Sequence, residues 1–238
     1  MKRMNILVTG ANRGIGLALV REFVSLGHRV VAGCRSRQHA DELSELAKVH
    51  PDSVSLVQID IASDESVADS VAPVRESLGN LDILFNNAGV FPEEGDESLE
   101  TISLQHFREA FETNVLGALR MVRAYLPLLM EAEDPRILNM SSGAGSISGK
   151  DESNYYAYST SKAALNMLTR AMAAELKPKG VTVVAISPGW VKTEMGGKHA
   201  EITPEESAGA LAATALRLTL EDTSSFLGRD GSRDSYQW

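Results

Sequence analysis

Tyr158 and Lys162 stand four residues apart in the stretch Ser141 to Lys162, SSGAGSISGKDESNYYAYSTSK, which runs into a helix-like sequence continuing to Leu176. Side chains at i and i+4 share a helix face, so the phenol and the ammonium are expected to reach one site. A phenol titrates near ~10, too high for acid–base work at neutral pH. A cation about 4 Å away, at an effective dielectric of ~20, favours the phenolate by about 4 kcal/mol, roughly three units, which brings Tyr158 into a working range. Ser142, just upstream, could hydrogen-bond the same substrate oxygen that Tyr158 protonates. The Tyr-x-x-x-Lys spacing alone also fits an ordinary surface pair on a helix, so the surrounding elements must decide.

Those elements alternate. Ile6 to Val8 has strand character and passes into Thr9-Gly10-Ala11-Asn12-Arg13-Gly14-Ile15-Gly16, after which Leu17 to Leu26 has helical spacing. A strand, a glycine turn and a helix in this order set backbone N–H groups and the positive helix end where a pyrophosphate can sit; a tight strand-to-helix connection is the plainer reading. Arg29 to Cys34 is expected as the second strand. Arg35 follows it, where an acidic residue would hold a free ribose 2'-hydroxyl and a cation suits a 2'-phosphate. With Arg13 in the glycine turn, two arginines and no acid favour NADP(H) over NAD(H).

A polar helix (Gln38 to Lys48), a strand (Ser53 to Ile59) and a helix (Asp64 to Leu78) follow. Between the last two, Asp60 beside Ile61 is placed to accept from an adenine amino group or to cap the segment that starts at Ser63. Strand Leu81 to Phe85 leads into Asn86-Asn87-Ala88-Gly89, small residues that allow a close approach of backbone or ribose, or make a plain turn. Leu104 to Met130 has the spacing of one long helix, with Phe107, Phe111, Val115, Leu119 and Val122 at core positions. Asn114 and Gly117 are out of character there, and such an Asn commonly satisfies a local backbone break or holds a water.

Strand Arg136 to Met140 delivers Ser141 and Ser142; strand Val181 to Ile186 delivers Ser187-Pro188-Gly189-Trp190-Val191-Lys192-Thr193 at a carboxyl edge, where open α/β sheets bind ligands. Glu194 to Thr203 reads as a mobile lid, Pro204 to Leu220 as a helix, and the tail from Phe226 to Trp238 mixes strand and turn signals. The expected architecture is α/β: one domain over residues 1–238, a doubly wound parallel sheet flanked by helices on both faces.

A net charge of -9 disfavours nucleic acid and anionic membrane as partners. The single cysteine, Cys34, excludes an internal disulfide and suits a reducing cytoplasm. The apolar run near the start is broken by Gly10, Asn12 and Arg13, too short for a signal peptide or a membrane span. His28, His39, His50, His106 and His199 show no paired ligand spacing, so no metal is expected. No serine sits in G-x-S-x-G, and Gly145 to Lys150 is one residue short of a phosphate-binding loop.

Taken together, Thr9 to Gly16, Asp60, Asn86 to Gly89, Asn114, Ser142, Tyr158 with Lys162, and Pro188-Gly189 up to Thr193 resemble the short-chain dehydrogenase/reductase family, in the family's own order over nearly the whole chain. The resemblance implies a Rossmann-type sheet of about seven parallel strands and a catalytic tetrad of Asn114, Ser142, Tyr158 and Lys162. It implies that the cofactor touches Gly10, Asn12, Arg13, Gly14, Ile15, Gly16, Arg35, Asp60, Ile61, Asn87, Ala88, Gly89, Tyr158, Lys162, Pro188, Gly189, Val191 and Thr193. Lys162 would also hold the nicotinamide ribose, and Asn114 would anchor a water that returns protons. The Ser142 to Tyr158 spacing is longer than in many members, which reads as a small loop within Ser148 to Asn154 at the substrate entrance.

Ser187 to Gly197, Thr203 to Ser207, Asp230-Gly231 and Trp238 further resemble sniffer-type carbonyl reductases and C-factor proteins. The activity implied is NADPH-dependent reduction of an aldehyde, ketone or dicarbonyl. The alternatives are an NADP-binding regulatory protein of C-factor type and a 3-oxoacyl reductase. A homodimer or homotetramer is implied, with Ala163, Ala164, Ala171, Ala173 and Ala174 offered either to another subunit or to the protein's own sheet. Met195 and Trp190 suggest an apolar pocket formed by residues 91–103, 146–157 and 194–207.

Overall fold

A computed structural model describes residues 2–93, 97–233 and 236–238; the expected pocket stretch 91–103 and the tail each include residues outside these. Seven strands, β1 (Asn5–Thr9), β2 (Arg29–Cys34), β3 (Val54–Gln58), β4 (Ile83–Asn86), β5 (Arg136–Met140), β6 (Thr182–Ile186) and β7 (Phe226–Leu227), form one sheet in the order β3-β2-β1-β4-β5-β6-β7. Every pairing is parallel. Chain order reverses at β1, which pairs Ile6 with Val30 on one side and with Ile83 on the other. A crevice therefore opens between the carboxyl ends of β1 and β4, the place where such sheets take ligands.

The strands are apolar on both faces because helices cover both. Ile6 and Val8 point to one side, into a core with Leu19 and Phe23 of α1 (Gly14–Ser25), Leu43 of α2 (Asp41–Val49) and Leu211 of α7 (Pro204–Arg217). Leu7 points to the other, against Val67 and Val74 of α3 (Asp64–Leu78), Met121 and Tyr125 of α5 (Ala118–Leu129) and Leu176 of α6 (Tyr156–Leu176).

The expected long helix over Leu104 to Met130 divides into α4 (Leu104–Phe111), a wider π-helical segment (Glu112–Gly117) and α5. The break falls on Asn114 and Gly117, the two residues out of character for a packed helix. Gly117 is required by a close approach: a Cβ there would lie 2.7 Å from Ile61 Cδ1. α1 begins earlier than its apolar spacing indicates, at Gly14 within the glycine turn, and α2 begins later, after a short 3-10 turn at Arg37–His39.

The segment 194–203 closes on itself: Val191 bridges Ile202, Lys192 N–H donates to Ile202 O at 2.8 Å, and Trp190 Nε1 donates to Gly196 O at 2.8 Å. Trp190 and Met195 are about half exposed. The α6 alanines do not form one face. Ala173 is in the core, Ala163 and Ala164 are half-buried, and only Ala171 and Ala174 are exposed.

Candidate active site

The glycine turn is built against β4. Gly10 and Gly14 adopt φ of +62° and +53°, which glycine allows without strain. A Cβ on Gly16 would lie 2.1 Å from Gly10 O and 2.6 Å from Asn87 Nδ2; one on Gly10 would lie 2.9 Å from Ala88 Cα. Thr9 Oγ1 accepts the amides of Asn87 and Ala88 at 3.1 and 3.0 Å, and Asn87 Nδ2 donates to Thr9 O and Gly10 O at 2.8 and 3.2 Å. The expected close approach at Asn87 and Ala88 is thus to the turn's own backbone. Thr193 reaches across the crevice, its Cγ2 3.2 Å from where a Gly14 Cβ would stand. Ile15 packs against the core beneath.

Arg35 is exposed directly after β2. Arg13 is exposed too and pairs with Glu194, which ties the turn to the 191–202 loop. Asp60 Oδ1 accepts the Ala62 N–H at 3.0 Å, while Ser63 caps α3 by accepting Ser66 N–H, so Asp60 shapes its own turn and is not the helix cap. On the far side, Gly189 has φ +80° and Pro188 O accepts from Ser207 Oγ at 2.8 Å, which fixes the bend after β6 onto α7.

Asn114 is 2 % exposed, and its amide makes three bonds: Oδ1 accepts Val90 N–H at 2.8 Å, and Nδ2 donates to Val90 O and Ser161 Oγ, both at 3.0 Å. It locks the loop after β4 to α6. A Cβ on Gly89 would meet Asn114 Oδ1 at 3.1 Å and Lys162 Nζ at 3.5 Å. The two serines after β5 diverge: Ser141 Oγ donates to Asn166 Oδ1 at 2.6 Å in the core, while Ser142 Oγ accepts the Ala144 N–H at 3.2 Å and is half-buried on the Tyr158 side. The 3-10 turn Gly143–Gly145 lies directly on α6, since a Gly145 Cβ would be 2.8 Å from Lys162 Cβ.

Lys162 lies beneath Tyr158, 4 % exposed, with Nζ donating to Met140 O at 2.8 Å and lying 5.6 Å from the Tyr158 ring centroid. Burial pulls this ammonium down to about 8. Burial also raises the Tyr158 phenol above its ordinary value; the Ser142 hydrogen bond opposes this, and the charge of Glu93 adds to it. The direction corrects the expectation of a phenol brought down by Lys162. Desolvation disfavours the phenolate, and the ammonium is spent partly on a carbonyl.

Three partners of this site have no local signal in the sequence. Glu93 accepts the amides of Ala157 and Tyr158. Phe91 sets its ring at 5.0 Å from that of Tyr158, edge to face. The chain's end packs over the turn after Ser142: Ser146 Oγ donates to Gln237 O at 2.6 Å, and Tyr236 stacks on Phe226 at 5.1 Å. The tail mixes strand and turn signals in sequence, and nothing in it marks a destination some ninety residues back along the chain.

A parallel sheet with a glycine turn at its switch point, and a phenol, hydroxyl and ammonium converging beside it, define an α/β oxidoreductase scaffold. The family model described as short chain dehydrogenase matches residues 4–203, and this chain belongs to that family of oxidoreductases. Among solved structures it is similar to NADPH-bound carbonyl reductase from chicken fatty liver, at 34% identity and a TM-score of 0.91, covering 99% of this chain and 100% of that one. It is also similar to the carbonyl reductase Sniffer of Drosophila melanogaster, at 33% identity and a TM-score of 0.93 with full coverage of both. The 3-oxoacyl-(acyl-carrier-protein) reductase FabG of Pseudomonas aeruginosa is 32% identical over 95% of this chain and 90% of its own. Among the described residues no helix is long and apolar enough to cross a membrane, and no group of three or more His, Cys, Asp or Glu could hold a metal ion.

Proposed function

We propose that the chain reduces the carbonyl of an aldehyde, ketone or dicarbonyl with NADPH, Tyr158 giving the proton. The observation that carries this reading is the Tyr158 ring set over the buried Lys162, whose Nζ lies 5.6 Å from the ring centroid, beside the glycine turn. The chain's residues fit a dinucleotide: Gly10, Gly14 and Gly16 leave backbone bare where a side chain would collide. A pyrophosphate would lie over residues 10–16 and a 2'-phosphate between Arg13, exchanged from Glu194, and Arg35. Asp60, Ile61 and Asn87 to Gly89 would line the adenosine side; Tyr158, Lys162, Pro188, Gly189, Val191 and Thr193 would line the nicotinamide side.

The bound cofactor supplies a hydride to the carbonyl carbon. Ser142 donates to the carbonyl oxygen and orients it. Tyr158, kept protonated by burial, gives its proton to that oxygen as charge builds there. The Lys162 ammonium then faces the phenolate left behind and offsets its charge. Asn114 holds the 89–90 backbone against α6, so that Lys162 and the loop keep their spacing, and is read as the anchor of a proton-returning water. The reverse reaction uses the same groups; a cytoplasm rich in reduced NADP favours reduction.

Residues 1–238 are read as one domain acting in the cytoplasm on a small molecule. Exposed Leu104, Leu116 and Met167, on α4, the π-helical segment and α6, support a homodimer or homotetramer. The Pseudomonas relative favours a second reading, reduction of a 3-oxoacyl thioester. The test is steady-state NADPH and NADH oxidation over aldehydes, quinones, vicinal diketones and a 3-oxoacyl thioester, with Arg35→Asp alongside. Diketone or quinone turnover with NADPH, shifted toward NADH in the variant, is the expected result. Turnover of the thioester alone selects the second reading, and NADPH binding without turnover of any carbonyl returns the regulatory one.

A further inference from the structure

α6 starts without a cap of its own. Tyr155, in the N-cap position, has φ +52° and its side chain makes no capping bond, although 21 residues of helix follow. The first amides are taken from outside: Glu93, in the loop after β4, accepts Ala157 N–H with Oε1 at 2.7 Å and Tyr158 N–H with Oε2 at 2.9 Å. This carboxylate is 6 % exposed. Phe91 in the same loop stands edge-on to both Tyr155 and Tyr158, at 5.1 and 5.0 Å. A helix start is ordinarily capped by a Ser, Thr or Asp adjacent in sequence, as Ser103 does for α4 and Thr203 for α7. A carboxylate from 64 residues away does more. Both oxygens on consecutive amides fix the place and rotation of the first turn, and they add a negative charge at the end where the helix itself is positive.

We propose that Glu93 is a positioning residue for the reaction at Tyr158: its buried carboxylate aims the phenol by clamping the first turn of α6. The inference rests on the reading of Tyr158 as the proton donor. The groups facing Tyr158 are Ser142 from the turn after β5, Lys162 from α6, and Phe91 and Glu93 from the loop after β4. Lys150, 5.9 Å from the Tyr155 ring centroid, is engaged by Asn154 and Ser159. Of the charged groups, Glu93 opposes the phenolate and Lys162 favours it.

The test is an NMR titration of isotope-labelled tyrosine in the protein alone, the Tyr158 signal assigned by its loss in Tyr158→Phe, with the pH profile of kcat for carbonyl reduction measured in parallel. Glu93→Gln keeps an acceptor and removes the charge. Its Tyr158 titration should move down, since a negative charge that disfavours the phenolate is removed. The alkaline fall of kcat should move with it. Glu93→Asp keeps the charge on a shorter arm; it should leave the titration near that of the wild type and lower kcat several-fold, with KM for NADPH unchanged. An unmoved titration in folded Glu93→Gln, or an undiminished kcat in Glu93→Asp, overturns the proposal. The phenol titration needs no substrate, so wild-type protein without turnover sinks the reductase reading while the NMR result still decides this one.

Discussion

Gly16→Ala tests whether the glycine turn is as tightly built as its contacts indicate. The new methyl would stand 2.1 Å from Gly10 O and 2.6 Å from Asn87 Nδ2, both well inside van der Waals contact. The carbonyl belongs to a backbone held by Asn87, so relief requires the turn and α1 to part, at the expense of the Asn87 bonds to Thr9 O and Gly10 O. Overpacking costs about 1–3 kcal/mol and each lost hydrogen bond about 1 kcal/mol, together about 3–5 kcal/mol. In a chain of this length that lowers Tm by about 6–20 °C. Gly27→Ala is the control: φ is +85° there but nothing lies within 4 Å of the new Cβ, so only backbone strain of about 1 kcal/mol is expected. The assay is thermal unfolding with and without NADPH, and binding by nicotinamide fluorescence. Gly16→Ala should melt far below Gly27→Ala and bind NADPH at least about tenfold more weakly, or about 1.4 kcal/mol. Equal melting of the two variants with intact binding would refute the argument.

Three other outcomes follow from neighbouring residues. Ser141→Ala strands Asn166 Oδ1 in the core, so calorimetry should show a loss of about 1–3 kcal/mol with turnover retained, whereas Ser142→Ala should cut kcat by about a hundredfold with little change in melting. Equal effects on both quantities in the two variants would refute the division of labour between the serines. Lys162→Met should abolish turnover yet stabilise the fold at neutral pH. Burial lowers Lys162 from 10.5 to about 8, so the unfolded chain binds the extra proton between these values and wild-type stability rises with pH across that window. The gap between variant and wild type, at most about 3 kcal/mol at pH 7, should close by about pH 10.5 in denaturant titrations; a gap independent of pH counts against the buried charge. Asn114→Ala frees the Val90 backbone and Ser161, and should lower both Tm and kcat. Retention of both would remove Asn114 from the site.

The parallel sheet was legible because its strands are short apolar runs ended by Gly, Asn, Ser or Pro, as at Thr9-Gly10 and Ser187-Pro188, and alternate with helical spacing. Ser142, Tyr158 and Lys162 were legible from type and distance along the chain. Asn114 stood out because an amide is costly inside a helix, and the π-helical segment is where that cost is relieved. The direction of the Tyr158 shift was not legible, since i and i+4 spacing speaks of reach and not of burial. Glu93 was hidden for a different reason. It is one acid in an acidic stretch of sequence, and what distinguishes it is a pair of amides 64 and 65 residues away. Likewise the segment after Thr193 is polar and glycine-bearing in sequence, and the bridge between Val191 and Ile202 that closes its base joins residues eleven apart with no local signal.

Passage of a hydride to a carbonyl at this site, with Tyr158 supplying the proton, can be followed by isotope transfer. NADPH carrying deuterium at the nicotinamide C4 would be incubated with a vicinal diketone and the product examined by mass spectrometry, for the wild type and Tyr158→Phe. One deuterium is expected on the new carbinol carbon with the wild type and none above background with the variant. Deuterium transfer of equal rate in Tyr158→Phe would contradict this.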